Sequence, residues 1–535
     1  MSATSSLTTN PAVSPPAGAS DTTAFDIRHH AARTPDRTAI VCGAQTMSYA
    51  ELEALANRLA SVFRGLGLVR GDHLAVLLPN RPEMLALAWA AWRCGLYMTP
   101  MSTALTTTEL AYLVADCDAR AVVVDATLAQ SVETLPAMLD APAHWLSMGG
   151  DMYGSTCGLT PIEPLLEVAS PLPAADEPPG ALMMYTSGTT GAPKGVIRPL
   201  LPADWRGTPT FAGDLLTLFD LAGDDVRYLS TAPLYHAAPL RYSLSVTAGG
   251  GCVVVMQRFE ARQALRLLVD QRITHSQWVP AMFQRMLALP DDERQRFTAP
   301  AHRCAIHAAA PCPPELKRAM IDWWGPVLLE YYAGSEGVGM TQITSAEALQ
   351  RPGSVGRAVK GVIHIVDEAG TELPAGRTGL VCFSGVAAFA YYKAPEKTAA
   401  RTQPQGWQTL GDIGHVDAEG YLFLSDRLDD MIISGGVNVY PQEIEAAIRQ
   451  VPGVADCAAV GVADERFGET PVVFVVPNPV VPNHAGGATG LVRAIEQHCA
   501  QHLGKFKRPS RVLMIDELPR SATGKLLRRV LRERL

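Results

Sequence analysis

Short apolar runs alternate with amphipathic helices in the first quarter of the chain, and that alternation restricts the fold more than any other feature. Ser48-Tyr-Ala-Glu51 is a capping box, followed by Leu52, Leu55, Ala56, Leu59, Val62 and Phe63 at helical spacing. Residues 73–78 (HLAVLL) then read as a buried strand, residues 84–92 as a helix and residues 121–124 as another short buried strand. Further strands are expected at residues 253–256 and 327–330. The pattern predicts βαβ units around a largely parallel sheet, an α/β fold.

A chain of 535 residues exceeds what one compact core supports, so at least two domains are expected. A Pro-rich linker at residues 170–180 delivers the chain into an apolar strand, ALMMY, at residues 181–185. A second break falls after Asp426-Arg427, and beyond it a smaller module begins with MIISGG (431–436) and a helix from Pro441. The expected division is a leader without structure over residues 1–22, a large multi-subdomain α/β domain over 23–427 and a small α+β lid over 428–535.

Composition removes several function classes. The net charge of −8 gives no electrostatic reason to bind nucleic acid, and no basic block occurs before the last few residues. The longest uncharged apolar stretch, residues 242–257, contains three consecutive glycines and is too short to span a bilayer. Ten scattered cysteines without a CxxC pair point to reduced thiols rather than a disulfide framework or zinc site. A soluble cytoplasmic protein is expected. Of 45 basic residues only eight are lysines, and the first is Lys194.

Lys194 belongs to YTSGTTGAPKG (185–195), a loop of hydroxyls and glycines that follows the expected strand. It departs from the P-loop pattern, because Gly195 stands where Ser or Thr should follow the lysine. Backbone N–H groups and hydroxyls in a concave turn suit a phosphate; a Gly/Thr-rich surface hairpin is the alternative.

Four more segments accompany that loop: PLYHAAPL (233–240), EYYAGSEG (330–337), the run from Gly406 through DRLDDMIISGGVNVYPQEIE (to residue 445), and LPRSATGKLLR (518–528). In this order and spacing they resemble the adenylate-forming superfamily: acyl-CoA synthetases, peptide-synthetase adenylation domains and luciferases. The resemblance runs from about Phe25 to the end of the chain. It implies a two-step reaction. A carboxylate attacks the α-phosphate of ATP, giving an acyl-adenylate and pyrophosphate, and a thiol then displaces AMP.

The resemblance also implies roles. Thr186, Ser187, Gly188, Thr189, Thr190, Gly191 and Lys194 would hold the ATP phosphates, and Glu336 would bind Mg²⁺. Tyr332 would stack on adenine, with Ser335 in place of the usual threonine. Asp412 and Arg427 would contact the ribose, and a carboxylate with two oxygens can accept from both hydroxyls. Lys525 would reach the reacting oxygens during adenylation; a solvated lysine beside Arg528, Arg529 and Arg532 is the alternative. Asp429 would be the hinge of the small domain, and Gly435 and Gly436 would line the CoA channel. His236 would orient substrates, against the reading of a packed histidine.

No carboxylate stands in residues 235–240 to pair with a substrate ammonium, which disfavours amino acids. The pocket stretches are mostly small, apolar or aromatic, so a fatty or bulky alicyclic or aryl acid is expected, with His307 and the following alanines reshaping the pocket. The leading expectation is a stand-alone acid–CoA ligase using ATP, Mg²⁺ and coenzyme A, with a homodimer possible. Loading of a separate carrier protein and a non-catalytic ATP-binding scaffold are the alternatives.

Overall fold

The Ser48 capping box forms: the Ser48 hydroxyl accepts from the Glu51 N–H at 3.2 Å, Glu51 accepts from the Ser48 N–H at 2.7 Å, and the helix Tyr49–Gly65 follows. The computed structural model describes residues 25–139, 142–150, 158–186, 193–205, 207–434, 437–478, 487–520 and 526–535, apart from the side chains of Asp429 and Asn438. Within them two parallel sheets dominate. One has the spatial order Thr160–Pro161, His144–Met148, Ala119–Asp125, His73–Leu77, Tyr97–Pro100, Ala181–Leu182. The other has a parallel core of Thr38–Cys42, Cys252–Val255, Arg227–Ser230, His275–Trp278, Cys304–His307 and Leu328–Tyr332. Antiparallel strands, including Gln408–Val416 and Leu422–Arg427, extend it beyond Leu328–Tyr332.

The period of two along each strand decides which layer a side chain joins. Leu74 and Val76 face helices packed between the sheets, whereas Ala75 and Leu77 face the opposite side. Tyr228 and Val253 point into the same central layer, and Leu229 and Val254 point away from it. The central layer holds the helices Tyr49–Gly65, Glu83–Arg93 and Ala237–Ala248. Strands buried on both faces explain the unbroken apolar runs of the sequence.

The expected single strand over residues 181–185 is divided between two sheets. Ala181–Leu182 runs parallel to Tyr97–Pro100, and the Met183 N–H still donates to the Met98 carbonyl at 2.9 Å. Met184–Thr186 instead pairs with Lys194–Ile197, which pairs with Ala390–Tyr391. One apolar run is a local signal, whereas the change of partner is a long-range choice.

After Arg427 a single 3₁₀ turn, Leu428–Asp430, leads into a small second domain. Its sheet includes Ile432–Ser434, Val454–Asp464, Gly468–Pro477 and Arg511–Met514, and its own core contains Ile444, Ile448, Val473 and Ile495. The chain is a mixed α/β protein with a large N-terminal and a small C-terminal domain. No helix among the described residues is long and apolar enough to cross a membrane.

Candidate active site

The glycine loop springs from a hairpin. Thr186 stands opposite Lys194 and Tyr185 opposite Gly195, so both described ends of the loop leave the same edge of a small sheet. The Lys194 ammonium lies 5.1 Å from the centre of the Tyr391 ring, on the third strand of that sheet. The Tyr391 hydroxyl donates to Glu336 at 2.8 Å. Burial and then the Glu336 charge keep this phenol protonated, well above its usual range. One tyrosine therefore joins the loop lysine to the carboxylate of EYYAGSEG.

The backbone carrying Glu336 is fixed from the other side. Arg198, just past the Lys194 strand, donates to the Glu336 carbonyl at 2.8 Å and the Gly337 carbonyl at 3.2 Å. Gly337 has φ +64°, a left-handed turn that favours glycine, and a Cβ there would meet only the tip of the Arg198 side chain, at 2.6 Å.

Three strands bring the second cluster together. Asp412 and Arg427 are direct cross-strand partners, and Arg427 Nε forms an ion pair with one Asp412 oxygen at 3.2 Å. Tyr332, ending the strand Leu328–Tyr332, donates to the other at 2.5 Å. Burial and the Asp412 charge push the Tyr332 phenol well up. Burial opposes the Arg427 charge, but Asp412 and its neighbours outweigh it and raise the guanidinium. Ser335 lies exposed on the loop between this cluster and Glu336.

His236 is the N-cap residue of Ala237–Ala248. Buried Asn80 sets the loop before it: its amide oxygen accepts from the Leu234 N–H at 2.7 Å, and its NH₂ donates to the carbonyls of Ala232 and Met256. The His236 Nε2 is buried and has no hydrogen-bond partner among the described residues. Burial pushes this imidazole down to about 4, so it is neutral at pH 7.

The profile of the AMP-binding enzyme family matches residues 27–393, and that of the AMP-binding enzyme C-terminal domain matches residues 443–525. The chain belongs to the AMP-binding enzyme family. The long-chain-fatty-acid–CoA ligase FadD13 of Mycobacterium tuberculosis is 32% identical over 493 residues, covering 91% of this chain and 93% of that protein. Indoleacetate–CoA ligase of Aromatoleum aromaticum is 31% identical over 512 residues, covering 94% and 95%. Among solved structures, an ATP-bound RpMatB-BxBclM chimera superposes with a TM-score of 0.82 at 31% identity, covering 96% of this chain and 98% of the other. The protein is an AMP-forming acid–thiol ligase.

Of the residues singled out in the sequence, the ligase brings Tyr332, Asp412 and Arg427 into one cluster, and Thr186, Lys194 and Glu336 into another around Tyr391. Ser187, Gly188, Thr189, Thr190, Gly191, Gly435, Gly436 and Lys525 lie outside the described residues. Asp429 is within the Leu428–Asp430 turn by its backbone alone. His307 does not line the layer that holds Ala237–Ala248. It is wholly buried with Phe283, 5.3 Å between ring centres, on the face that Ala305 shares, while Ile306 faces the central layer. The period of two turns it away from the central layer. Tyr391, Arg198 and Asn80 were missed, because each acts through a partner more than fifty residues distant.

Proposed function

We propose that the ligase activates a carboxylic acid with ATP and transfers the acyl group to the thiol of coenzyme A, and that the acid has an apolar fatty, alicyclic or aryl frame. One observation carries this reading. Separate strands present Tyr332, Asp412 and Arg427 as one polar cluster, and a second cluster joins Lys194 to Glu336 through Tyr391. In this reading Tyr332 stacks on adenine with Ser335 at its side. Asp412 and Arg427 hold the ribose, and Thr186 to Gly191 with Lys194 hold the phosphates. Glu336 gives one oxygen to Tyr391 and offers the other to Mg²⁺, as a hard oxygen ligand suits a cation shared with phosphates. Lys525 neutralises charge developing at the reacting oxygens, and His236, held neutral by burial, orients the acid.

The domain division in this reading falls at residues 427/428, with Asp429 as the hinge and Gly435 and Gly436 beside the thiol channel. The short 3₁₀ turn between two separately packed cores supports it. A cytoplasmic site of action is supported by nine described cysteines that are all free thiols, eight of them buried.

The test is AMP formation from ATP and Mg²⁺ with fatty, alicyclic, aryl and amino acids, with and without CoA, in the wild type and in Lys525→Ala. CoA-dependent turnover of apolar acids is expected, with adenylation lost by roughly 100-fold or more in the variant. Pyrophosphate release that CoA does not accelerate would transfer the acceptor role to a carrier protein. No AMP from any acid would overturn the reading in favour of an ATP-binding scaffold.

A further inference from the structure

The small sheet that carries the glycine loop is tethered from outside by one short segment of the chain. Residues 112–118 close the helix Thr107–Asp116 and turn into the strand Ala119–Asp125 of the six-stranded sheet. Each of the three strands of the small sheet has its own contact with this segment. Tyr185, on Met184–Thr186, donates its hydroxyl to Asp116 at 2.5 Å. On the other stem of the loop, the Pro193 carbonyl, one residue before Lys194–Ile197, accepts from the Tyr112 hydroxyl at 3.0 Å. Just past the third strand, Ala390–Tyr391, the Tyr392 hydroxyl and the Lys393 ammonium both donate to the Asp118 carboxylate at 2.7 Å.

Tyr112 and Asp116 are four residues apart and share one face of their helix, which lets them grip the two stems of the loop side by side. Asp118 lies past the helix end with φ +48°, and its partner Lys393 has φ +53°. Two left-handed residues other than glycine that meet in one ion pair are held by the contacts around them, not by backbone preference. The tethers are unequal. The Asp118 and Lys393 side chains are 54% and 44% exposed, so solvent screens their attraction. The Tyr185 phenol is half-buried, and burial and then Asp116 push it well above its usual range, which keeps it a donor. A hydrogen bond to a charged group in such surroundings is the stronger kind, so Asp116 carries most of the grip.

A loop of glycines and small hydroxyl residues has little conformational preference of its own, and ordering it at the moment of binding costs affinity. Fixing both of its stems in advance lowers that cost. Resting on the ligase reading above, we propose that Tyr112, Asp116 and Asp118 are positioning residues for ATP, which hold the two stems of the glycine loop at the spacing that the two outer phosphates require. They act through the strands they grip and not by contact with the nucleotide. Their effect is confined to the phosphates that leave as pyrophosphate. AMP lacks those phosphates and binds independently of the clamp.

Two nucleotides test the proposal. Dissociation constants of a non-hydrolysable ATP analogue with Mg²⁺, and of AMP, are measured by calorimetry on the full chain. Asp116→Ala should weaken the ATP analogue about tenfold, the lower end of the range for a hydrogen bond to a charged group, and leave AMP within about twofold. Retained AMP binding also shows that the variant folds. Tyr112→Phe, which removes a neutral and exposed bond, should weaken the analogue less. Asp116→Asn keeps an acceptor for Tyr185 and should restore most of the loss. Adding Tyr185→Phe to Asp116→Ala should cost little more, because both remove the same bond. Equal weakening of the analogue and of AMP in Asp116→Ala would reduce these contacts to a dock for the small sheet and overturn the proposal. So would unchanged binding of the analogue when Asp116→Ala and Tyr112→Phe are combined. Failure of the ligase reading looks different: the wild type would form AMP with no acid, whatever the ratio of the two constants.

Discussion

Where the proposed function places ATP, Asp412 gives one oxygen to Tyr332 and the other to Arg427, and Glu336 holds Tyr391. Where the proposed function places the acid, the His236 Nε2 is buried without a hydrogen-bond partner among the described residues. The difference follows what each end has to recognise. ATP is the same in every turnover, so its contacts can be fixed in advance by protein partners and need no reorganisation when charge develops. An acid pocket discriminates by leaving polar groups that only the correct substrate completes, because a wrong acid then leaves them unpaired.

The strongest way to break this comparison is Asp412→Ala. It removes the shared partner of Tyr332 and Arg427, and adenylation measured by AMP formation should fall on the order of 100-fold or more with every acid alike. A loss confined to some acids would mean that the two ends are not separate. Tyr391→Phe is the next step down: losing one hydrogen bond to a carboxylate should lower kcat/KM for ATP about tenfold, again independently of the acid.

Stability sharpens the contrast with two tyrosines. Tyr332→Phe deletes a hydrogen bond to a charged carboxylate and should cost about 1.5–3 kcal/mol in denaturant unfolding. Tyr242→Phe removes a buried hydroxyl whose neighbour is the uncharged Tyr331 phenol and should cost less, below about 1.5 kcal/mol. Similar costs for both would refute the distinction.

The smallest effect concerns pH. Burial pushes His236, His275 and His302 down to about 4, below their unfolded value near 6.5. The unfolded chain therefore binds more protons between these values. The histidines' contribution is fully present above pH 6.5 and is lost as pH falls towards 4. The Tm should drop steadily from pH 7 to 5, and His302→Asn, which removes one buried imidazole, should flatten that slope even as it loses the bond to Ser276.

Much of the fold was legible because its signals are local. The Ser48 capping box, the buried run HLAVL and the tight spacing of EYYAGSEG each declare themselves within a few residues. The nucleotide cluster was legible for a different reason: its residue types and order resemble a known family, although nothing local in LGDIG says that Asp412 will face Arg427. His307 shows where such reading stops. It lies within a stretch read as pocket-forming, and nothing local says that the strand will turn it onto Phe283.

The sequence by itself determined an α/β chain in two domains and, through its resemblance to a known family, the adenylating chemistry. Periodicity, caps and motif order are properties of neighbouring residues, and these survive without a fold. Only the tertiary structure decided that residues 181–185 divide between two sheets, that His307 turns away from the central layer, and that Tyr391 links Lys194 to Glu336. Those outcomes depend on which strands pair across hundreds of residues, and burial set by that pairing fixes which charges find partners.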